Sequence, residues 1–175
     1  MIYKYLSMLL FVFCFQSTMF AQTKSRINFE PDFTVGTSCD VSCYKVLPVG
    51  VELNVNYAVT PRLKAYVVSH NDYFFTLQSS GESGGSLSLG GGLGFMLIRG
   101  NKSKCGDFEL RSTYSKSITS DTFRNGSFDM RIYWHSTSGK KGPRPVLGVG
   151  YTCKTFSNSD ISTYQGATLS LGIIF

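Results

Sequence analysis

The chain has 175 residues, and its 17 Lys and Arg outnumber its 11 Asp and Glu, for a net charge of +6. Hydrophobic residues make up 42% and charged residues 16%, with 18 Gly and only 5 Pro. That apolar content excludes a disordered chain, the scarcity of helix formers argues against a helical bundle, and the length predicts one domain.

Residues 1–21 read as a targeting segment. Lys4 is the only charge, Leu6 to Phe15 are almost wholly apolar, and Ala21 supplies a small residue before Gln22. A charged start, a short apolar core and a small residue at the end are the three parts of a secretory signal peptide. The core falls well short of the ~20 residues of a spanning helix. Residues 22–175 then form a single domain with four cysteines, Cys39, Cys43, Cys105 and Cys153. Export to an oxidising compartment allows disulfides. Cys39 and Cys43 fit a bridge if their loop turns back on itself. Metal binding is the rival reading for this pair, and no His lies near enough in sequence to support it.

After the signal no apolar run approaches ~18 residues, so the chain is not a helical membrane protein. What recurs is alternation with period two. Val49, Val51, Leu53, Val55 and Tyr57 enclose Gly50, Glu52, Asn54 and Asn56. Leu87, Leu89, Leu93, Phe95 and Leu97 enclose mostly Gly and Ser. Successive side chains of a strand face opposite sides, so one face is apolar and the other small or polar. Eight such strands are expected, at 27–37, 47–59, 62–77, 84–98, 106–115, 126–136, 144–155 and 163–175.

The second face carries Glu30, Asp32, Glu52, Arg62, Lys64, Asp107, Glu109, Arg111, Asp129, Arg131, Arg144 and Lys154, six acids and six bases. In a soluble barrel these charges meet water; in a membrane barrel they point inward and the apolar face meets lipid. Three features favour the membrane arrangement. Glycines such as Gly90, Gly92, Gly94, Gly148, Gly150 and Gly172 crowd the polar face, which suits a narrow lumen and would only weaken an exposed strand. The links near Thr60–Pro61, Gly100–Cys105 and Thr137–Pro143 are the shorter ones, and 38–46, 78–83, 116–125 and 156–162 the longer, polar ones. Phe175 falls on the apolar face of the last strand.

Leu169, Leu171, Ile173 and Phe175, at alternate positions, resemble the terminal signal of bacterial outer-membrane β-barrels. The 22–175 region is similar in general pattern to the small OmpA/OmpX type. The resemblance implies an all-β, eight-stranded antiparallel transmembrane up-and-down barrel in the outer membrane of a Gram-negative cell. It also implies contact with outer-membrane lipids and with the machinery that inserts barrels. The four polar links would face outside, and Tyr57, Phe95, Trp134, Phe175, Tyr73 and Tyr114 would form girdles at the two interfaces.

Eight strands leave an interior that side chains fill. Glu30, Asp32, Glu52, Arg62, Lys64, Glu109, Arg111, Asp129 and Arg131 are therefore expected as a charge network plugging the lumen, with Glu52 beside Lys64. A narrow channel is the rival. His70 is expected near the outer end and His135 near the opposite end, too far apart to share a metal or a catalytic site. Thr155-Phe156-Ser157-Asn158 loosely resembles the His-x-Ser-Asn stretch of lipid A deacylases, with Thr155 where the catalytic His belongs. A serine without its base is a poor nucleophile. Acyl transfer to lipid A would need a Ser motif beside His70 and Asp72. The expectation is a non-enzymatic, monomeric barrel with no cofactor and no nucleic-acid partner, a structural or surface role, and loops open to an extracellular ligand. A lipid A-modifying enzyme and a soluble periplasmic ligand-binding barrel are the alternatives.

Overall fold

Alternation becomes pairing in the computed structural model, which describes residues 27–41, 44–77, 83–99, 106–119, 123–136, 142–157 and 163–175. The strands are β1 (Ile27–Gly36), β2 (Cys39–Val41), β3 (Tyr44–Ala58), β4 (Leu63–Thr76), β5 (Gly84–Ile98), β6 (Asp107–Ser117), β7 (Asn125–His135), β8 (Arg144–Phe156) and β9 (Tyr164–Ile174). Each pairs antiparallel with its chain neighbour from β2 to β9, and β1 pairs with both β3 and β9. The sheet therefore closes into an up-and-down barrel whose wall holds eight long strands. Closure removes the unpaired edge that an open sheet would expose.

The short β2 prolongs β1 rather than adding a ninth wall strand. Val35 pairs with Val49 and Cys39 with Val46, so four steps on one strand oppose three on the other. This is a β-bulge, where one extra residue bends the strand. A second bulge, between Met96 and Ile98, turns both Leu97 and Ile98 outward at the end of β5. The turn after β3 is closed by Thr60, whose Oγ1 accepts hydrogen bonds from the N–H groups of Arg62 (3.2 Å) and Leu63 (2.9 Å). Pro61 fits the second position of that turn because its ring presets φ.

Inward glycines let this small barrel bend. A Cβ on Gly92 would strike the backbone of Ser112 and stand 2.8 Å from Thr113 Cα; one on Gly150 would strike the backbone of Met130 and Arg131. These points of β5 and β8 are corners where adjacent strands approach too closely for any side chain, as curved sheets require.

The expected difference in connection length is absent. At the upper end the connections are 42–43, 77–83, 118–124 and 157–163; at the lower end they are 59–62, 99–106 and 136–143. Two upper-end residues replace the long loop expected at 38–46, because β2 and β3 continue their ladder to Val41 and Tyr44.

Burial is inverted relative to a soluble protein. Glu30, Glu109 and Asn54 are fully buried, whereas Leu169 is 64% exposed, Val67 63% and Leu93 57%. Exposed large apolar side chains recur on every wall strand. Only lipid makes that outer surface favourable while the wall satisfies its own backbone groups. This is a transmembrane-type β-barrel.

Candidate functional site

The interior is built in layers. At its centre the Arg111 guanidinium lies between two tyrosine rings, 4.1 Å from the centre of Tyr66 and 3.8 Å from that of Tyr133. Arg111 also reaches Glu30 (2.8 Å) and, through Nε, Glu109 (3.2 Å). Stacking on a π face suits guanidinium, which is planar and weakly hydrated. A second centre forms on Arg131, whose Nη1 donates to Glu52 (2.6 Å) and to the Tyr133 hydroxyl (2.9 Å). Its Nη2 donates to Asp129 (2.7 Å). Asn54 ties the groups together by donating to Asp32 (3.1 Å) and Glu52 (2.9 Å).

Towards the lower end Glu109 collects donors. Lys64 Nζ lies 2.6 Å away, the Tyr66 hydroxyl donates to it, and His135 Nε2 lies 3.3 Å away. Gly94 makes this convergence feasible: a Cβ there would strike the Glu109 carboxylate and the Tyr66 ring. Towards the upper end Lys154 pairs with Asp72, Thr152 donates to Asp129, and Thr168 donates to Thr152 (2.7 Å). A cavity of about 10 Å³ between Thr34, Asp72, Arg131, Thr152, Lys154 and Thr168 has the space of one water molecule.

An apolar cluster covers this ionic centre above, and a smaller one lines its wall towards the lower end. Above it lie Val46, Phe74, Phe123, Phe156 and Tyr164. Phe74 stacks on Phe123 at 5.2 Å and meets Phe156 edge-on at 5.4 Å. Phe123 comes from the 118–124 connection, its carbonyl held by Asn125 Nδ2 at 2.9 Å, and it lies over Gly84, where a Cβ would stand 2.6 Å from the ring. Towards the lower end Val146 and Ile174 pack with Tyr133, the ring that stacks on Arg111.

Of the nine residues expected in the lumen, Glu30, Asp32, Glu52, Glu109, Arg111, Asp129 and Arg131 are buried there, and Lys64 reaches in from the rim. Arg62 is a correction: it lies in the turn before β4 and is exposed. Glu52 and Lys64 do lie on neighbouring strands, but their ion pairs go elsewhere, Lys64 to Glu109 on β6 and Glu52 to Arg131 on β7. Asp107 and Arg144 sit half-buried at strand starts, outside the central contacts. His70 is not at the outer end; it pairs in register with Glu52, and its Nδ1 lies 3.3 Å from that carboxylate. Asp72 joins the network from outside the nine, at a polar-face position, and the inward Phe74, Phe156 and Tyr164 occupy that same face, where alternation predicts polar side chains.

Cys43 lies outside the described residues, as do the Cys39 side chain, residues 1–26 and Asn158. Thr155 and Ser157 are exposed, Phe156 joins the upper cluster, and the Ser157 N–H donates to the Arg124 carbonyl (2.8 Å). On the outer surface Leu169, Leu171 and Ile173 are exposed. Tyr57, Phe95, Tyr73 and Tyr114 also face outward, but Tyr114 pairs with Phe128 and Gly91 in mid-strand. Trp134 and Phe175 are half-buried.

No family model and no curated protein matches the chain. Among solved structures it is similar to a de novo designed transmembrane β-barrel, with 15% identity and a TM-score of 0.48. The likeness covers 89% of this chain and 98% of that one.

Proposed function

We propose that this protein is a small, non-enzymatic outer-membrane barrel of a Gram-negative cell, with a structural or surface-interaction role and a lumen that does not conduct. Its export would depend on residues 1–21 as a signal peptide. Outer-membrane lipids and the insertion machinery are its proposed partners, with Leu169, Leu171, Ile173 and Phe175 as the insertion signal. The upper connections are the surface open to an extracellular ligand, and the barrel acts as a monomer.

The observation that carries this reading is the filled interior. Arg111 is locked between carboxylates and two tyrosine rings, and Arg131 between two carboxylates and the Tyr133 hydroxyl, under an aromatic cluster. Buried charges so paired are costly to separate, which opposes an open water path. The outward apolar face runs against a soluble ligand-binding barrel.

Planar bilayer recording tests the lumen. Wild type should give no discrete conductance, and Arg111→Ala combined with Arg131→Ala should give measurable openings. Steady conductance from wild type would contradict the reading. Fractionation of the cell envelope tests location, and recovery in the inner membrane would overturn it. Lipid A from cells making the protein should be unchanged in acyl chains; a lost or added chain abolished by Ser157→Ala would favour an enzyme.

A further inference from the structure

The outer wall is not evenly covered. A groove of about 640 Å³ runs across β1, β9, β8, β7 and β6. One wall is a row of directly paired residues, Leu171, Leu147, Trp134 and Phe108. The other is the next outward row, Leu169, Val149 and Ile132. Between them the floor includes Gly148 and Ser170, which turn inward and leave backbone rather than side chain beneath the groove. From β1 to β6 the groove crosses five strands, roughly 19 Å at a spacing of ~4.8 Å. Strands in such barrels tilt by about 35–45°, so the groove runs obliquely down the wall.

We propose that this groove seats one acyl chain of a membrane phospholipid as a retained ligand, the chain entering at the lower end beside Trp134 and Phe108. Two observations select that occupant. The groove is continuous with the exposed apolar belt, so lipid is already the solvent at its rim. Its length and apolar lining match an extended hydrocarbon chain, and its floor supplies no polar side chain that a peptide partner would need. This inference rests on the membrane reading.

The test is retention of lipid. The full-length protein is inserted into dipalmitoyl phosphatidylglycerol vesicles, moved into detergent and weighed by native mass spectrometry. Wild type should keep one phosphatidylglycerol per barrel. Val149→Trp and Leu169→Trp fill the groove from its upper wall and should keep none. Leu93→Trp, on β5 outside the groove, should keep one. Each variant is checked for a heat-dependent gel shift, so loss of lipid is read only from folded barrels. Equal retention by wild type and both filling variants overturns the proposal, as does loss of lipid from all of them. A wild-type dimer dispersed by Val149→Trp would make a second copy the occupant, and also overturns it. Failure of wild type to enter vesicles defeats the membrane reading itself, and is distinguished from the other results by the absent gel shift.

Discussion

The Arg111 guanidinium sits 3.8 Å from the centre of the Tyr133 ring, inside a barrel whose outer surface is apolar. The same arginine faces Glu30 and Glu109. Removing it leaves Glu30 buried without its cation. Arg111→Ala is therefore expected to cost about 3–5 kcal/mol, read as a lower urea midpoint for the barrel in vesicles. Arg111→Lys should recover only part of the loss, because an ammonium has no planar face to lie between two rings. Equal stability of the Lys variant and wild type would refute the stacking role.

The lipid-facing surface makes a prediction of opposite polarity. Leu93 is 57% exposed on β5, between the outward Ala65 and Ser112 of its neighbours. A charge there must leave water for hydrocarbon. Leu93→Arg should cost about 2–4 kcal/mol at mid-depth, measured by the same vesicle unfolding. Ser157→Arg, at an exposed position of the 157–163 connection, should be nearly silent. A silent Leu93→Arg would mean that this face is wet.

Gly94 provides the space in which Lys64, Tyr66 and Glu109 meet. Gly94→Val inserts atoms where the Glu109 carboxylate and the Tyr66 ring lie. Displacing Glu109 separates it from Lys64 and Arg111, so a loss of about 3–5 kcal/mol is expected. Normal stability in Gly94→Val would show that the Glu109 cluster contributes little.

Phe123 covers the Lys154–Asp72 pair through its contact with Phe74 and Phe156. Phe123→Ala should admit solvent to the upper lumen. A cysteine placed at Thr168, in a background without the native cysteines, should then react faster with a water-soluble thiol reagent. Gly84→Val should act in the same direction by pushing the ring aside, since a Cβ at Gly84 stands 2.6 Å from it. Unchanged labelling rates in both variants would dismiss the aromatic cover.

The wall was legible in the sequence because side-chain parity is a local property. Alternation at Val49–Tyr57 and Leu87–Leu97 located β3 and β5 to within three residues at each end. The bulges were not legible. Neither the residues between Val35 and Cys39 nor Leu97 breaks the apolar count, yet each bulge changes which residues face outward or pair. The lumen was legible in its charges but not in their partners. Strand adjacency puts Glu52 beside Lys64, yet the long Lys64 side chain passes Gly94 and ends on Glu109, two strands away. Inward glycine between inward charges is the signal that such a reach is open. Phe74, Phe156, Val146 and Ile174 were missed for a different reason. This lumen is polar at mid-depth but takes in apolar groups towards its ends, so period two alone misassigns the ends.

The central claim is that the apolar face meets lipid and the ionic face is enclosed. Insertion into phospholipid vesicles followed by gel electrophoresis of unboiled and boiled samples tests it most directly. The account predicts protein that stays with the vesicles through an alkaline wash and migrates differently before and after boiling. Protein that stays soluble without detergent and runs as one band in both lanes would contradict it.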